Sequence, residues 1–559
     1  MIDPREWAPV DGFILEPNAL LTIGELTSHV ALTAGPGAGK TETLAQRADF
    51  LFRTNSCPYP RRILAISFKL DAAHNLDERV KLRSGPSMAR RFDSMTFHGF
   101  AKRIIDRYRL VLTGPNALDA DYSVGPNFIP RRQLSFDRMV PFAIEIVNRS
   151  LHARWSMRQT YSHVFLDEFQ DCTDAQYQLI RAAFGGSDAV ITAVGDTKQR
   201  IMGWAGAMEG IFLAMATDFT TMPLNLYMNF RSKDRLRRVQ NAMVQIMDPR
   251  AAVDPATIAA DEGEVNVLTY DTAADEAHGV GHAIAQLVAE GTPPAQIAVL
   301  LSKQIPLYAA ELMANLDQRE IPYRDETQLQ DLASDPIGVV VFDFLRVCIL
   351  TQQAASYDRL LNLAAIATSD DESEDRLRSK ISRHLASSRE MVNSSGFDGT
   401  DVEAYAKAAK KLLNLLGKRA LSALSADYQQ GKRLEDLVAS ALDVFSAALT
   451  ASGDPVAAID HLSDDKAVRI LTIHKSKGLE FENVFVMACE EETFFGAIEP
   501  ERSAFFVAIS RAKDRLYVTC AKHRPRPAGM SGRWEVTRTP HEEFLGYLDL
   551  FERRNQVIA

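Results

Sequence analysis

The run AGPGAGKT at 34–41 places three glycines, a lysine and a threonine between an apolar stretch and a helical pattern. Residues of these types at this spacing form a phosphate cradle. Gly35, Pro36, Gly37, Ala38 and Gly39 let backbone N–H groups approach phosphate oxygens. Lys40 reaches the β- and γ-phosphates, and Thr41 ligates Mg²⁺. Further along, FLDEFQD at 165–171 ends an apolar run in two carboxylates. Asp167 suits a metal held through water, and Glu168 suits removal of a proton from an attacking water. Apart from the loop, such an acidic pair reads equally well as a solvated turn.

These groups need a scaffold that brings strand ends together. The apolar runs at 29–35, 62–68, 163–168, 189–196, 297–302, 468–474, 483–489 and 515–521 are rich in Val, Ile, Leu and Ala. Most precede a helical pattern, which predicts α/β architecture with buried parallel strands and helices on both sheet faces. They fall into two clusters. The first spans 1–109 and 161–235, with an insertion at 110–160. The second spans 236–334 and 466–559, divided by a helical insertion at 335–465. IGVVVFDFLRVCIL at 337–350 is broken by Asp343 and Arg346 and reads as a buried helix. The 559 residues give a prior of about four units at roughly 150 residues each.

Five scattered cysteines, Cys57, Cys172, Cys348, Cys489 and Cys520, do not make a disulfide framework, a zinc site or an iron–sulfur site. They point to a reducing cytoplasm. MIDPREWAPVDG at the N-terminus lacks the pattern of a signal peptide. The net charge of −10 argues weakly against nucleic acid. The charge is uneven, however: residues 61–158 hold 18 Lys/Arg against 9 Asp/Glu, or +9, which leaves −19 for the rest. A basic stretch of that kind can hold phosphates.

The loop and the Asp-Glu strand begin an ordered series: ILAISFKLDAA (63–73), TFHGFAKRI (96–104), VGDTKQRIMGWAGA (194–207), LNLYMNFRS (224–232), ILTIHKSKGLEFENVFV (470–486) and FFVAISRAKDRLYV (505–518). The series resembles the UvrD/Rep/PcrA family of superfamily 1A DNA helicases. The resemblance implies two RecA-like P-loop domains, 1A and 2A, with insertions 1B and 2B. It implies an ATP-dependent, 3′–5′ motor on single-stranded DNA with Mg²⁺ as cofactor. By position, Gln199 couples the γ-phosphate to the DNA side, while Arg231 and Arg511 stabilise the transferring phosphoryl. Phe230 packs on adenine, Glu480 meets the ribose, and Asn18 stands nearest the family's adenine-reading glutamine. Glu42 follows Thr41 where many relatives have Arg and is counted with the nucleotide-binding residues. The single-strand track is Phe68, Lys69, Phe97, His98, Trp204 and His474. Aromatic faces there stack on bases, although core packing is an equal reading for Phe68 and Phe97. Ala205 stands where the family usually has Arg, and Leu70 and Asp71 where it often has Asn and Lys.

The compact layout is also similar to the helicase subunit of the Gabija anti-phage defence system. That similarity implies a partner nuclease of the OLD (TOPRIM) type, and any cleavage is expected from such a second polypeptide. Three readings stand side by side: a translocating helicase, a helicase-like subunit that licenses a partner nuclease, and an RNA helicase of the same superfamily.

Overall fold

The computed structural model describes residues 2–68, 70–125, 127–201, 206–326, 332, 335–367, 371–424, 433–462, 466–527, 530, 532–548 and 553–555. Along the first part of the chain run α1 (Pro17–Gly24), β1 (Val30–Ala34), α2 (Lys40–Arg53), β2 (Arg62–Ser67), β3 (Phe92–Thr96) and α3 (Phe97–Tyr108). Next come β4 (Leu118–Gly125), β5 (Arg131–Ser135), α4 (Phe136–Arg149) and α5 (Leu151–Thr160). β6 (Tyr161–Leu166), β7 (Val190–Gly195) and β8 (Met222–Leu226) complete the first lobe. Its six-stranded sheet has the order β3-β2-β6-β7-β1-β8, and every neighbouring pair is parallel.

The second lobe holds β9 (Glu264–Thr272), β10 (Ile297–Leu301) and β11 (Tyr323–Asp325) before a run of helices. These are α6 (Pro336–Ile349), α7 (Ala354–Ala367), α8 (Asp371–Val392), α9 (Val402–Leu424), α10 (Arg433–Ser452) and α11 (Pro455–Leu462). The chain then returns through β12 (Val468–Thr472), β13 (Phe481–Val486), α12 (Ile498–Ile509), β14 (Ala512–His523) and β15 (Arg553–Asn555). The second sheet has seven parallel strands in the order β11-β12-β10-β13-β14-β9-β15.

The expected α/β class with two parallel sheets is what the chain adopts. The central strands of each sheet are buried on both faces, so they are apolar throughout rather than alternating. Leu64, Ile66, Val164 and Leu166 pack one face of the first sheet; Ile63, Ala65 and Phe165 pack the other. Each of the larger side chains among them contributes about 1.5–3 kcal/mol through the area it removes from water.

The two insertions behave differently. Leu134, Met139, Ile146 and Met157 of the segment between β3 and β6 join the same apolar cluster as Leu64 and Val164. That segment is therefore fused to its lobe. Residues of α6–α11 pack almost entirely on one another, around Phe344, Tyr405 and Phe445. Sequence patterning passed over β3, β8 and β9. β9, EVNVLTYDT, alternates polar and apolar positions, and β8 is a short edge strand broken by Pro223. No described helix is long and apolar enough to cross a membrane.

Candidate nucleotide site between the lobes

β1 delivers the glycine-rich loop to the C-terminal edge of the first sheet. Gly37 and Gly39 have φ of 71° and 77°. A Cβ at Gly37 would lie 2.2 Å from Asn229 Oδ1, so both the backbone turn and the close approach of the 229–231 segment require glycine there. Gly39 caps α2, whose first turn aims its N–H groups into the loop, a ready site for phosphate. Lys40 Nζ donates to the carbonyls of Ala34 and Gly35 at 3.1 and 3.0 Å. Its burial pulls the ammonium pKa down, against the attraction of Asp196 and Glu168. A partly buried cation held by carbonyls in a glycine cradle fits a polyphosphate. Thr41 lies in the first turn of α2, and Asp167 directly follows the end of β6. Together they provide one hydroxyl and one carboxylate, a donor set that fits Mg²⁺ when phosphate and water fill its other positions.

Asp167 is buried and Glu168 partly buried beside it. Asp167 Oδ1 accepts from the Glu168 N–H at 2.9 Å. Burial and the neighbouring Glu168 charge push Asp167 up. Burial also opposes charge on Glu168, but Lys477 and Lys40 prevail and hold it below the usual carboxylate range. Glu168 is thus ionised and able to take a proton. Its φ of 50° is left-handed, an unfavourable state for a non-glycine residue. Gln170 Nε2, donating to Glu168 Oε2 at 2.6 Å, fixes the carboxylate in place.

The second lobe closes over this edge. Arg511 Nη2 donates to Gln199 Oε1 at 2.7 Å, and Gln199 Nε2 donates to Asp196 Oδ2 at 2.8 Å. Burial, and then the Arg231 charge, lowers the Arg511 pKa to about 9. Arg231 Nε donates to Glu480 Oε2 at 2.8 Å, and its Nη1 donates to the Ser510 carbonyl at 3.0 Å. Glu480 also pairs with Lys513 at 2.9 Å. Burial opposes the charge on Glu480, but Arg231 and Lys513 bring its pKa down to about 2. The Phe230 N–H donates to the Gly37 carbonyl at 2.9 Å, leaving its ring 55% exposed beside the loop. Glu168, Gln199, Arg231, Arg511, Phe230 and Glu480 thus converge on one cleft.

Lys477 was missed by sequence reasoning. It is buried, forms an ion pair with Asp171, donates to the Gln199 carbonyl at 2.9 Å and lies 3.7 Å from Glu168 Oε2. It ties the second lobe to the acidic strand end of the first. The available signal was a lysine between β12 and β13 inside IHKSKGLEF, which is legible only once the two lobes are seen to meet.

Several expected contacts fall elsewhere. Glu42 faces away from the cradle: it is buried against Arg83 at 2.7 Å and Gln46 at 2.8 Å, because a carboxylate inside the sheet–helix layer needs a cation. The reading of Glu42 as a nucleotide contact is corrected accordingly. Asn18 Nδ2 donates to the Asn225 carbonyl at 2.7 Å, so its amide N–H is already engaged by β8. Nearby Glu16 accepts from the backbone N–H groups of Tyr227 and Met228 at 3.0 and 2.8 Å. Phe97 is a core residue at the start of α3, in the same apolar cluster as Phe100 and Ile104, and its stacking role is likewise corrected. Phe68 packs against the apolar cluster of the second lobe and so bridges the lobes. His98 lies edge-on to Phe136 at 6.0 Å. His474 lines an open cleft between the lobes together with Lys198, Arg200 and Lys303. Lys69, Trp204 and Ala205 lie outside the described residues.

Fold and cleft define a two-lobed P-loop nucleotide-binding protein. Two family models match the chain: an AAA domain over residues 22–205 and a UvrD-like helicase C-terminal domain over residues 377–523. The chain is 24% identical to DNA helicase II of Escherichia coli K12, with 89% of this chain and 83% of the relative covered. It is also 24% identical to the ATP-dependent DNA helicase PcrA of Bacillus subtilis 168, covering 94% and 84%. Against the putative ATP-dependent DNA helicase YjcD of the same organism it is 22% identical, covering 91% and 79%. The chain is thus similar to DNA helicases of the UvrD and PcrA kind over most of its length, and an AAA-type domain of this kind implies use of ATP.

Proposed function

We propose that this chain is an ATP-dependent DNA helicase that translocates 3′–5′ on single-stranded DNA. The observation that carries the reading is the bridge across the cleft. Arg511 and Lys477 of one lobe hold Gln199 and Asp171 of the other, directly over the cradle and Glu168. A nucleotide between two such lobes is sensed by both, so its hydrolysis is coupled to their opening. Lys40 and the loop N–H groups hold the phosphates, Glu168 receives the proton of the attacking water, and Arg231 and Arg511 face the developing phosphoryl charge. Thr41 and Asp167 would hold Mg²⁺, which supplies charge neutralisation on the phosphate oxygens. Phe230 offers its ring to the base. His98 and His474, with Phe68 at the lobe junction, border the strand path. Domain 1A takes residues 1–109 and 161–235, 1B takes 110–160, 2A takes 236–334 and 466–559, and 2B takes 335–465.

The five cysteines, scattered in sequence and free in the structure, fit a reducing cytoplasm. The compact layout supports a place in an anti-phage complex with an OLD-type nuclease, in which nucleotide state licenses the partner. Unwinding of duplexes with a single-stranded tail tests the motor reading. A 3′ tail is expected to support strand displacement that needs ATP and Mg²⁺, and a 5′ tail is not. Equal activity on both tails would remove the polarity, and displacement without ATP would remove the motor.

A further inference from the structure

Two surface features away from the nucleotide cleft complement each other. The first lies on the segment inserted in the first lobe. α5 turns Leu151 and Trp155, one helical turn apart, to solvent at 77% and 67% exposure. His152 packs edge-on against Tyr108 at 6.1 Å, which brings the start of α5 beside Leu110, itself 84% exposed. Single exposed leucines are ordinary; two leucines and a tryptophan gathered at one place form a patch that calls for a partner.

The charges around that patch are positive. Arg109 donates to the Asp106 carbonyl at 3.2 Å, and Arg154 to the Val147 and Asn148 carbonyls at 3.1 Å. Arg158 donates to the Ala183 and Gly185 carbonyls at 2.8 and 2.6 Å. Backbone carbonyls position these guanidinium groups without neutralising them. Among the described residues, none of the three forms an ion pair. Tryptophan and arginine are also the residue types that dominate protein interfaces.

The second feature is a groove of about 1390 Å³ between the second lobe and the helical insertion. This exceeds the ~300–1,000 Å³ typical of small-ligand clefts and suits a protein segment. One wall is a stripe of α10: Asp443, Val444, Ala447, Ala448 and Ala451 line the groove. The adjoining face of α10 packs Ala441, Phe445 and Leu449 into the helical core, and Val444 and Ala448 rest at the edge between core and groove. Asp317, Glu320 and Asp454 join Asp443 in the lining. Arg324, which also borders it, is buried and paired with Glu326 at 3.1 Å.

We propose that the Leu110–Leu151–Trp155 patch of one copy of this chain seats in the α10 groove of a second copy, with the flanking arginines meeting Asp443 and its neighbouring carboxylates. The small alanine wall leaves room for an indole ring, and both apolar and charged parts match. The uneven charge of the chain, +9 over 61–158 against −19 elsewhere, favours the same pairing. The contact joins two different surfaces, so each junction leaves a free patch at one end and a free groove at the other. Copies therefore assemble head to tail.

Sedimentation and light scattering of the full chain test this, at low and high salt and rising concentration. The wild type is expected to grow in mass with concentration and to dissociate as salt screens the charges. Trp155→Glu and Asp443→Arg are each expected to remain monomeric with an unchanged unfolding midpoint. Mixed in equal amounts, they are expected to form a dimer and stop there, because only one intact patch and one intact groove remain. A wild type that stays monomeric, single variants that assemble as the wild type does, or a mixture that stays monomeric would each overturn the proposal. So would a Trp155→Glu protein that assembles normally but binds a single-stranded oligonucleotide more weakly, since the patch would then be a nucleic-acid contact.

Discussion

Glu168 shows how much one residue can be asked to do. Its backbone occupies a left-handed state at φ 50°, and in a partly buried setting its carboxylate is kept ionised chiefly by the Lys477 and Lys40 charges, with help from Gln170 and Arg511. The Asp-Glu pair, the glycine loop and the two arginines were legible in the sequence because each lies in a short contiguous motif whose chemistry fixes its residue types. Lys477 and Asp171 were not, since their meaning arises only when two segments 306 residues apart come together. Glu42 misled for the opposite reason: it neighbours Thr41 in sequence, but the helix turns it toward Arg83.

A second buried group makes a prediction on pH. His163 on β6 shares a hydrogen bond with Ser162 Oγ at 2.9 Å through Nδ1, while Nε2 is without a partner among the described residues. Burial, and then the Arg47 and Arg61 charges, lowers its pKa to about 3. An unfolded chain protonates this histidine near 6.5, whereas the folded chain does so only near 3. Between those values the unfolded state binds more protons, so stability falls as pH falls through the window. The urea midpoint of His163→Leu is expected to depend less steeply on pH between 7 and 4 than that of the wild type. Parallel pH profiles for the two proteins would contradict this origin.

At the scale of elements, apolar runs located eight of the buried strands, because parallel strands covered on both faces leave no polar positions to blur the pattern. Edge and alternating strands such as β8 and β9 were obscured by the same logic. The helical insertion was legible from its 3.6-residue periodicity, but that periodicity could not say which face of α10 met the core and which met the groove. α6–α11 carry their own core, with Phe445 packed edge-on against Tyr405 at 5.2 Å. Phe445→Ala is expected to destabilise this module by about 3–5 kcal/mol through the cavity it leaves. Calorimetry should then show an early transition confined to the insertion, with the melting of the lobes little changed. A single transition shifted as a whole would show that the insertion and lobes unfold together.

For the whole molecule, net charge was a poor guide and its distribution a better one. Arginines and lysines concentrate between the glycine loop and β6, and many are matched locally, as in Arg62–Asp93 at 2.5 Å and Lys102–Asp106 at 2.6 Å. What integrates the molecule is the set of long-range contacts at the cleft: Arg511 to Gln199, Lys477 to Asp171, and Phe68 packed on the opposite lobe. Lobe closure and nucleotide chemistry share those residues, so an occupied strand path that favours closure also favours hydrolysis. The most direct measurement is ATP turnover with and without single-stranded DNA, in the wild type and in Glu168→Gln. The wild type is expected to turn over faster with DNA present. Glu168→Gln should lose at least about 100-fold in kcat in both conditions, since a proton acceptor is worth roughly 10²–10⁴ in rate, while still binding ATP. A Glu168→Gln protein that hydrolyses ATP at the wild-type rate, or a wild type indifferent to DNA, would contradict the account.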